Sequence, residues 1–496
     1  MFFRISYPFN SQFLFPYRLE SIKFPTDRVL RMTTFLDSQK AENMSLFTDL
    51  YELTMCASYF NNEKFEPATF DLFMRRLPEN RGYLLFTGLE QILQFLENVK
   101  FTDKQLAYLK KKGFNSQFLE YLRDFKFTGD VWAMPEGTVA FPCEPLIRVT
   151  APIIEAQLIE TFLLNTVNLQ TMIATKASRV VYAAKGKSVV EFGLRREHGI
   201  DAGMKVARSS YVAGCQGTSN VLAGMTYDIP VFGTMAHSFV MAFENEIDAF
   251  RAFAKTFPDK STLLIDTYND LAGAEKAILV AKELESKGHK LGGIRLDSGD
   301  LAEISKQVRQ ILDKNGLEYV DIFASGDLDE YRIEELLKKG AKIDAFGVGT
   351  RMGTSSDRPY VDAIYKLCET QSECGAFSPI MKLSEGKITL PGRKQVHRFK
   401  DEKGNYINDV IALVEENLDA DPLLFQVMDK GRNTLEFPSL NEIRSAIKEN
   451  LSRLPEKYKK LSDPPEYPVN LSKPIEDLVV KLKNKLTQTQ VSSEHQ

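Results

Sequence analysis

Side chains that could do chemistry follow short apolar runs between residues 189 and 350. The first is His237 in GTMAHS (233–238), which comes after an apolar run and a glycine. Imidazole is a nucleophile or general base near neutral pH. A lone histidine is more often a hydrogen-bonded core residue, but the neighbouring hydroxyls of Thr234 and Ser238 favour a reactive group at the end of a strand.

The segment IRLDSGDL (294–301) places one cation and two carboxylates together. Arg295 lies inside an apolar run, where a cation costs stability unless it is paired. An arginine at a strand end can clamp a carboxylate or a phosphate with two hydrogen bonds. Asp297 is of the type that holds Mg²⁺ or ribose hydroxyls, whereas Asp300 is expected only to cap the helix that follows it.

Two glycine-containing segments, ASGDL (324–328) and DAFGVGTRMGT (344–354), predict backbone amide groups that bind phosphate. In barrels, loops of this kind often follow the last strands. The candidate phosphate-binding residues are Gly326, Gly347, Gly349, Thr350 and Thr354. A plain turn is the alternative interpretation of each loop.

An aromatic residue and two cations stand close together in FGLRREHG (192–199). Phe192 beside Arg195 and Arg196 suits a flat, anionic ring ligand. Core packing of the ring and solvated arginines explain these residues about equally well. Asp266 in LLIDTYND ends another strand, and its carboxylate is expected to orient His237 by accepting the ring N–H.

The composition is that of an ordinary globular protein. In 496 residues, 63 Lys and Arg stand against 67 Asp and Glu, and the resulting net charge of −4 argues against nucleic-acid binding. The five cysteines form no CxxC pair, which disfavours a disulfide framework or a zinc site and favours a reducing, cytoplasmic compartment. Since no stretch of about 18 apolar residues occurs, we predict no membrane span.

Strand-like and helical runs alternate from 189 to 350. The strand-like runs are 189–195, 211–220, 229–238, 262–270, 291–300, 320–327 and 343–350. Helical spacing occupies 271–288, 301–315 and 328–339, with glycine stops at Gly288, Gly316 and Gly340. The alternation predicts a parallel sheet with outer helices, and seven runs favour a barrel whose strand ends meet at one mouth. An open doubly wound sheet is the alternative.

We therefore predict an α/β protein in which an irregular TIM-like α/β barrel spans 166–365. A second α+β domain is expected from the N- and C-terminal flanks, 44–165 and 366–475. Residues 476–496 are predicted to be a disordered tail. Residues 1–43 are expected to be a leader or poorly ordered extension, with a start at Met32 or a transit peptide as alternatives.

Arginines, Gly/Thr loops, a histidine, several aspartates and an aromatic ring are all expected at one mouth. That combination suits a phosphorylated sugar substrate, a divalent cation and an aromatic acid. The sequence contains neither a nucleophile elbow nor a GxGxxG dinucleotide fingerprint.

At these residues the sequence resembles the nicotinate phosphoribosyltransferase family. The matching segments are TDLYELTM (48–55), FPCEPLIRV (141–149), IEAQLIETFLLN (154–165), EFGLRR (191–196), GTSNVLAG (217–224), FGTMAHS (232–238), IRLDSGDL (294–301), FGVGT (346–350), PGRKQVHRF (391–399) and LSDPPEYPVNLS (461–472). The resemblance runs from about residue 44 to about 475. It implies the fold just described, an irregular barrel with an α+β domain.

The resemblance implies transfer of the phosphoribosyl group of 5-phosphoribosyl 1-diphosphate to nicotinate, giving nicotinate mononucleotide and diphosphate, the first step of NAD synthesis from nicotinate. It implies ATP hydrolysis through a phosphohistidine at His237, with Mg²⁺ as cofactor. It also implies a homodimer in which Tyr51, to which the residue pattern alone assigns no role, is delivered across the interface. The implied roles are nicotinate binding by Tyr51, Phe192, Thr234 and Arg295, phosphate binding by Arg195 and the 347–354 loop, ribose or Mg²⁺ binding by Asp297, and orientation of His237 by Asp266.

Two alternatives remain open. The first is a phosphoribosyltransferase that acts on nicotinamide or quinolinate. Recognition of nicotinamide would require an acidic acceptor for the amide, and AGCQGTSN (213–220) has no Asp or Glu, which favours a carboxylate substrate. The second is a non-catalytic nucleotide-binding protein on the same fold.

Overall fold

Six parallel strands form the central sheet of the described part of the chain, which comprises residues 41–383 and 389–493 of this computed structural model. Their spatial order is Gly217–Thr218, Ser188–Glu191, Ala345–Val348, Asp321–Ala324, Gly293–Leu296 and Thr262–Leu264. A single parallel bridge between Thr218 and Val231 extends one edge. The predicted α/β class is confirmed, and all these strands end on the same side because they are parallel.

Helices pack outside this sheet where the apolar spacing predicted them. The three predicted patterns form Asp270–Glu285, Leu301–Lys314 and Glu330–Lys338. The three glycine stops all have positive φ, from 68° to 82°. The side chain of Asp300 accepts hydrogen bonds from the Ala302 and Glu303 amides, which confirms its expected role as a cap.

Two strand-like runs form less regular structure than expected. In 211–220, Tyr211 and Val212 complete the helix Ile200–Val212, and only Gly217–Thr218 is a strand. In 229–238, Val231 makes the bridge and a short helix begins at His237. The β-rich composition misled the prediction because Gly214 has φ +120°, which ends a helix, and Pro230 cannot donate to a sheet.

A second, antiparallel sheet joins the two flanks of the chain. In the described residues its order is Phe377–Pro379, Ala363–Gln371, Pro67–Met74, Pro145–Pro152, Asp130–Ala133, Phe425–Asp429 and Arg432–Asn433. A smaller sheet follows the order Asp421–Pro422, Lys394–Lys400, Tyr406–Leu413 and Val469–Leu471, and Leu84–Leu85 pairs with Val139–Ala140. The additional domain built from both flanks is therefore confirmed, while its exact boundaries remain predictions.

The remaining helices complete the flanks and the mouth. They are Leu50–Asn61, Leu89–Asn98, Asp103–Lys111, Ser116–Arg123, Ile153–Leu158, Glu160–Ala183, Val221–Tyr227, Glu246–Thr256, Thr350–Gly353, Leu440–Arg453 and Lys473–Ser493, with 3₁₀ turns at Ala41–Leu46, Leu194–Arg196 and Glu456–Lys459. The helix Glu160–Ala183 contributes apolar side chains to both cores, the one around the parallel sheet and the one in the flanks. Among the described helices, none combines the length and apolar composition that crossing a bilayer requires.

The two ends of the chain differ in how they meet expectation. Most of the segment 476–496, predicted to be disordered, belongs to the helix Lys473–Ser493. Pro474 favours the first turn of a helix, and Ile475 is buried against the flank core, so the composition of the tail was a poor guide. The predicted leader lies outside the described residues, apart from the start of the 3₁₀ turn Ala41–Leu46.

Candidate active site

Arg295 lies at the centre of the site, near the end of the strand Gly293–Leu296 of the parallel sheet. Its Nη2 donates to Asp297 Oδ1 at 2.8 Å, and its Nε donates to Ser325 Oγ at 2.8 Å. Its Nη1 makes longer contacts, 3.3 Å to the Met235 carbonyl and 3.4 Å to Thr234 Oγ1. The pairing that the sequence demanded for this cation is confirmed, and the guanidinium is held in one orientation.

Asp297 is an anion at neutral pH. Burial alone would raise the pKa of its carboxyl, but the hydrogen bond from Ser325 and the nearby Arg295 guanidinium outweigh burial and lower it below the usual value. Oδ1 receives both of these hydrogen bonds. Oδ2 faces the other way and lies 3.8 Å from His237 Nε2.

The ring of His237 is contacted by Thr267 rather than by Asp266, the residue expected to orient it. Its Nδ1 lies 3.2 Å from Thr267 Oγ1, and its side chain is 40% exposed. Asp266 instead accepts from the Asp297 amide at 3.1 Å and from Ser298 Oγ at 2.6 Å. The expected orientation of His237 by Asp266 is thus wrong: the strand that precedes Asp266 pairs with the Arg295 strand, so its end meets residues 297–298.

Phe192 lies beside Arg295, with the guanidinium carbon 5.9 Å from the ring centroid. The ring also packs against Phe323, at a centroid distance of 5.6 Å. A Cβ on Gly347 would stand 2.7–2.8 Å from atoms of both rings, and a Cβ on Gly349 would stand 3.0 Å from the Phe192 carbonyl oxygen. These two glycines, expected to bind phosphate, therefore also make room for the aromatic pair.

The other loop residues lie around the same strand ends. Gly326 has φ +94°, and a Cβ there would overlap the Asp297 carbonyl oxygen. Thr350 begins a one-turn helix, and Thr354 Oγ1 donates to the Thr350 carbonyl at 2.7 Å. Arg195 is exposed in the 3₁₀ turn after Phe192, and its guanidinium has no ion-pair or hydrogen-bond partner within the described ranges.

An open cavity of about 750 Å³ adjoins Asp297 and Gly326. Its wall includes Arg351, whose guanidinium grips the Asp327 carboxylate with two hydrogen bonds of 2.7 and 2.6 Å and contacts Asp329 at 3.2 Å. A cavity of this volume accommodates a small phosphorylated ligand. The mouth therefore combines a fixed arginine, a carboxylate, a histidine and an aromatic ring beside open space.

Tyr51 lies apart from this group, on the helix Leu50–Asn61 of the flank domain. Its side chain is 49% exposed. Partial burial, followed by the nearby carboxylates of Glu160 and Glu52, raises the pKa of the phenol. Burial also raises the pKa of Glu52 to about 7, although Thr161 donates to it at 2.7 Å. Within the described part of one chain, no contact joins Tyr51 to Arg295 or Phe192.

Sequence reasoning missed three groups that shape the site. Ser325 bridges Arg295 and Asp297, Thr267 contacts His237, and Met235 offers its carbonyl to Arg295. Ser325 and Thr267 each follow a strand of the parallel sheet, so the rule that strand ends converge could have found them. A backbone carbonyl such as that of Met235 leaves no signal in the sequence.

Comparison with known protein families gives three matches along the chain. The family model described as nicotinate phosphoribosyltransferase N-terminal domain matches residues 46–168, the nicotinate phosphoribosyltransferase family model matches 187–373, and the C-terminal domain model matches 416–479. Together these models span the parallel sheet and both flanks.

Curated relatives and solved structures agree with these matches. A nicotinate phosphoribosyltransferase of Mycobacterium tuberculosis is 47% identical over 443 residues, covering 89% of this chain and 94% of that protein. The Bacillus subtilis nicotinate phosphoribosyltransferase is 42% identical over 462 residues, covering 87% and 94%. The crystal structure of human nicotinic acid phosphoribosyltransferase superposes with a TM-score of 0.79 at 29% identity, covering 88% of this chain and 99% of that one. A nicotinate-nucleotide pyrophosphorylase from Pyrococcus furiosus superposes with a TM-score of 0.67 at 27% identity, covering 82% and 95%.

The close approach of Gly326 to Asp297 predicts a stability difference between two glycine substitutions. Gly288 has a similar φ of +82° but open space around it, so Gly288→Ala carries backbone strain alone. Gly326→Ala adds a steric overlap and should cost about 1–3 kcal/mol more in the free energy of unfolding. Urea unfolding of both variants measures this difference, and equal losses would contradict the close approach.

Proposed function

This chain belongs to the nicotinate phosphoribosyltransferase family, and from that premise we propose that it joins nicotinate to 5-phosphoribosyl 1-diphosphate at the Arg295 site while ATP phosphorylates His237. The pyridine nitrogen of nicotinate attacks C1 of the ribose, the C1–oxygen bond breaks, and its electron pair leaves with diphosphate. The products are nicotinate mononucleotide and diphosphate. The relatives at 42–47% identity carry this enzyme name, so the non-catalytic alternative is set aside.

The observation that carries the proposal is the pairing of Arg295 with Phe192. The ring offers a flat apolar face, and the guanidinium beside it offers donors in the plane that a carboxylate requires. Nη1 makes only long contacts, to Thr234 and Met235, so it is the nitrogen most available to an incoming carboxylate. An aromatic ring bearing one carboxylate matches both features.

The choice of nicotinate as the acceptor of the phosphoribosyl group rests on charge as well as on the names of the relatives. Nicotinamide would bring a neutral amide to Arg295, which would leave the cation without a new anionic partner. The acid immediately before Phe192, Glu191, is 1% exposed and already accepts from Thr218 Oγ1 at 2.6 Å, so it is not available as an amide acceptor. Both facts favour nicotinate over nicotinamide. The Pyrococcus furiosus structure indicates that the fold itself also serves a protein with a different enzyme name.

ATP coupling is proposed to act through His237. Nδ1 is engaged by Thr267, which leaves Nε2 as the nucleophile toward the γ-phosphorus of ATP. The new N–P bond forms as the bond to ADP breaks, and water later cleaves the phosphohistidine. Asp297 Oδ2 lies 3.8 Å from Nε2, so a phosphoryl group there adds negative charge beside an existing carboxylate. That charge is suited to change the affinity of the site for its anionic substrates and products.

The residues present fit Mg²⁺ that arrives with the diphosphate substrate. Asp297 is ionised, and its Oδ2 accepts no hydrogen bond from the described residues. The described residues include no group of three or more His, Cys, Asp or Glu side chains suited to hold a metal by themselves. Mg²⁺ is commonly held by one or two carboxylates together with substrate phosphates, and it would neutralise the charge of the departing diphosphate.

The substrate phosphates are proposed to bind along the rim of the mouth. Arg195 is exposed and unpaired in the described structure, so it is free to meet a phosphate. Gly326 from one loop and Arg351 from the loop of Gly347 to Thr354 line the open cavity. Backbone amides in such loops suit phosphate oxygens.

A homodimer is proposed to complete the site with Tyr51 from the other subunit. The helix Val221–Tyr227 and the segment after it expose an apolar group in the single chain: Val221, Leu222, Met225, Val231 and Phe232. An exposed apolar patch of this kind is typical of a protein interface. Tyr51 and its neighbour Leu50 are also exposed.

A cytoplasmic location is the remaining part of the proposal. All five cysteines are free thiols, and three of them, Cys56, Cys215 and Cys368, are buried. Unpaired cysteines are usual in reducing compartments.

Arg295 should determine the preference for a carboxylate acceptor. Arg295→Ala is expected to lower kcat/KM for nicotinate roughly 30- to 1000-fold, because the carboxylate loses its charged partner. This factor corresponds to a loss of about 2–4 kcal/mol in transition-state stabilisation. The loss with nicotinamide should be smaller, so the ratio of the two kcat/KM values is the measurement. Arg251→Ala, at an exposed arginine paired with Glu283, is the control. An unchanged ratio would exclude the proposed contact.

His237 should carry the phosphate that comes from ATP. Protein incubated with γ-labelled ATP is expected to gain an acid-labile phosphate, up to one per chain, and His237→Ala should gain none. The same variant should lose the stimulation by ATP while retaining ATP-independent transfer. His289→Ala, at an exposed histidine beside Asp259, is the matched control. Labelling of His237→Ala at the wild-type level would refute the phosphohistidine.

Mixed dimers test whether Tyr51 acts across the interface. Tyr51→Ala is expected to raise the KM for nicotinate roughly 2- to 10-fold, because a stacked aromatic pair contributes about 0.5–1.5 kcal/mol. A dimer of one Tyr51→Ala chain and one Arg295→Ala chain should regain one normal site if Tyr51 is supplied in trans. A dimer of wild type with the double variant should then have none. The reverse pattern would mean that Tyr51 serves its own chain.

A further inference from the structure

Two glutamates meet beneath the turn that carries Phe192. Glu191 ends the strand Ser188–Glu191 and is 1% exposed. Glu197 follows the 3₁₀ turn Leu194–Arg196, and both of its carboxyl oxygens are buried without a conventional donor in the described structure. The two carboxyl groups lie close together, because a Cβ on Gly193 would stand 2.8 Å from Glu197 Oε1 and 2.9 Å from Glu191 Oε1. Such a contact between two acids is attractive only when a proton lies between them.

Three glycines enclose the Glu197 carboxyl. A Cβ on Gly193 or Gly353 would stand 2.8 or 2.9 Å from Oε1, and a Cβ on Gly203 would stand 3.2 Å from Oε2. Gly193 follows Phe192, and Gly353 ends the one-turn helix that begins at Thr350. The carboxyl is therefore wedged between the turn that carries Phe192 and the loop proposed to bind phosphate.

Glu191 ties the pair to a further part of the mouth. Its carboxylate accepts from the Gly193 amide on one side and from Thr218 Oγ1 on the other. Thr218 in turn bridges to Val231, and its carbonyl accepts from the Phe232 amide at 2.9 Å. The segment after Phe232 leads directly to Thr234 and His237.

The surroundings favour one proton on the pair at neutral pH. Burial, followed by the charge of Glu191, raises the pKa of Glu197 to about 9, and burial raises the pKa of Glu191 as well. Cations on the neighbouring elements are engaged elsewhere: Lys205 pairs with Asp201 at 2.7 Å, and Arg351 grips Asp327.

Among the described residues, none of the other titratable groups around the pair forms an ion pair with Glu197. The buried Cys215 thiol faces Glu191, and its pKa is raised by burial and by that carboxylate. Arg195, Arg196 and His198 are exposed on the same turn as Glu197. The shared proton is thus the group that relieves the repulsion between the two carboxylates.

We propose that Glu197 is a positioning residue whose proton, shared with Glu191, holds the Phe192 turn against the Gly349–Thr354 loop, and that loss of this proton at alkaline pH releases the two and disables the site. The proposal rests on the transferase activity of the preceding subsection. Glu197 contacts glycines and Glu191, and it acts on substrate only through Phe192 and the loop.

The stability of the folded chain should depend on this proton with a defined sign. The pKa of Glu197 in the folded state is raised above the ordinary value of 4.5. The contribution of its proton to the stability of the fold is therefore fully present below about pH 4.5 and is lost as the pH rises through about 9. Between those two pH values, the equilibrium constant for folding of wild type falls by about tenfold per pH unit, compared with a variant that lacks the Glu197 carboxyl.

The test compares Glu197→Gln, Glu197→Ala and wild type across the alkaline range. Wild type should lose kcat/KM with an apparent pKa of about 9, falling about tenfold per pH unit above it. The glutamine amide donates to Glu191 at every pH, so Glu197→Gln should stay active at neutral pH and lack this alkaline loss. Glu197→Ala removes the repulsion between the two carboxylates and should also lack the alkaline loss of kcat/KM. This second variant keeps the test valid if the glutamine variant does not fold.

Glu120→Gln, at an exposed glutamate beside Arg123, is the control and should keep the wild-type profile.

A measurement independent of activity follows the proton itself. The infrared spectrum of wild type minus Glu197→Gln should contain the C=O stretch of a protonated carboxyl at neutral pH, and this band should disappear with a midpoint near 9. An alkaline loss that persists in both Glu197 variants, or a missing band at neutral pH, overturns the proposal. Wild type that forms no mononucleotide at any pH would instead refute the proposed function, while the infrared band would still test the shared proton.

Discussion

A buried network of charges around Glu330 fixes the positions of the parts that make the mouth. Glu330 is 0% exposed, and Lys176 contacts it at 2.6 Å and Arg179 at 3.2 Å, both from the helix Glu160–Ala183. Lys176 also contacts Asp357 at 2.9 Å, and Arg81 of the N-terminal flank contacts Asp357 at 2.8 Å. Because Glu330, Lys176 and Arg179 have all left water, an arrangement that separates Glu330 from them leaves an uncompensated ion, at a cost of about 3–5 kcal/mol. Asp357 is 32% exposed, so its contacts contribute less. Glu330 follows the Gly326 turn and Asp357 follows the Thr350–Gly353 helix, so the network positions both of the loops proposed to bind phosphate relative to the flank domain.

Within that frame, Arg295 is held by the ends of three neighbouring segments. Asp297 continues its own strand, Ser325 follows the next strand, and Met235 comes from the irregular segment before His237. Each partner removes one freedom of the guanidinium, so its plane is determined before a substrate arrives. The entropic cost of orienting a long cationic side chain is then met during folding rather than during binding. The same hydrogen bonds keep Asp297 ionised, so in the proposed function a single pair of residues serves both the carboxylate and Mg²⁺.

The sequence predicted the elements better than the contacts between their side chains. Apolar spacing and the glycines that end helices correctly predicted the helices that pack on the parallel sheet. Because an unpaired cation in an apolar run is costly, the sequence also predicted a partner for Arg295. The residues at the strand ends could be predicted to lie near one another, because parallel strands end at the same edge of a sheet. That rule does not determine which neighbour a given side chain contacts. Asp266 therefore reached the 297–298 turn rather than His237, which Thr267 contacts instead. The buried carboxyl pair of Glu191 and Glu197 could not be predicted, because its partners are glycine backbone segments separated by about 160 residues of sequence.

The distribution of charge at the mouth differs from that of a simple cationic pocket. Arg295 is already balanced by Asp297, and Arg351 by Asp327, so these cations do not confer an excess positive charge on the free site. In the proposed function, attraction for an anion would come from the exposed Arg195, from backbone amides and from a metal ion that the substrate brings. Fixed and neutralised cations discriminate by geometry, because a ligand gains from them only when its oxygens match the available donors. An overall net charge of −4 is thus compatible with the proposed recognition of a carboxylate and a diphosphate, and it disfavours the polyanions that a uniformly basic surface would attract.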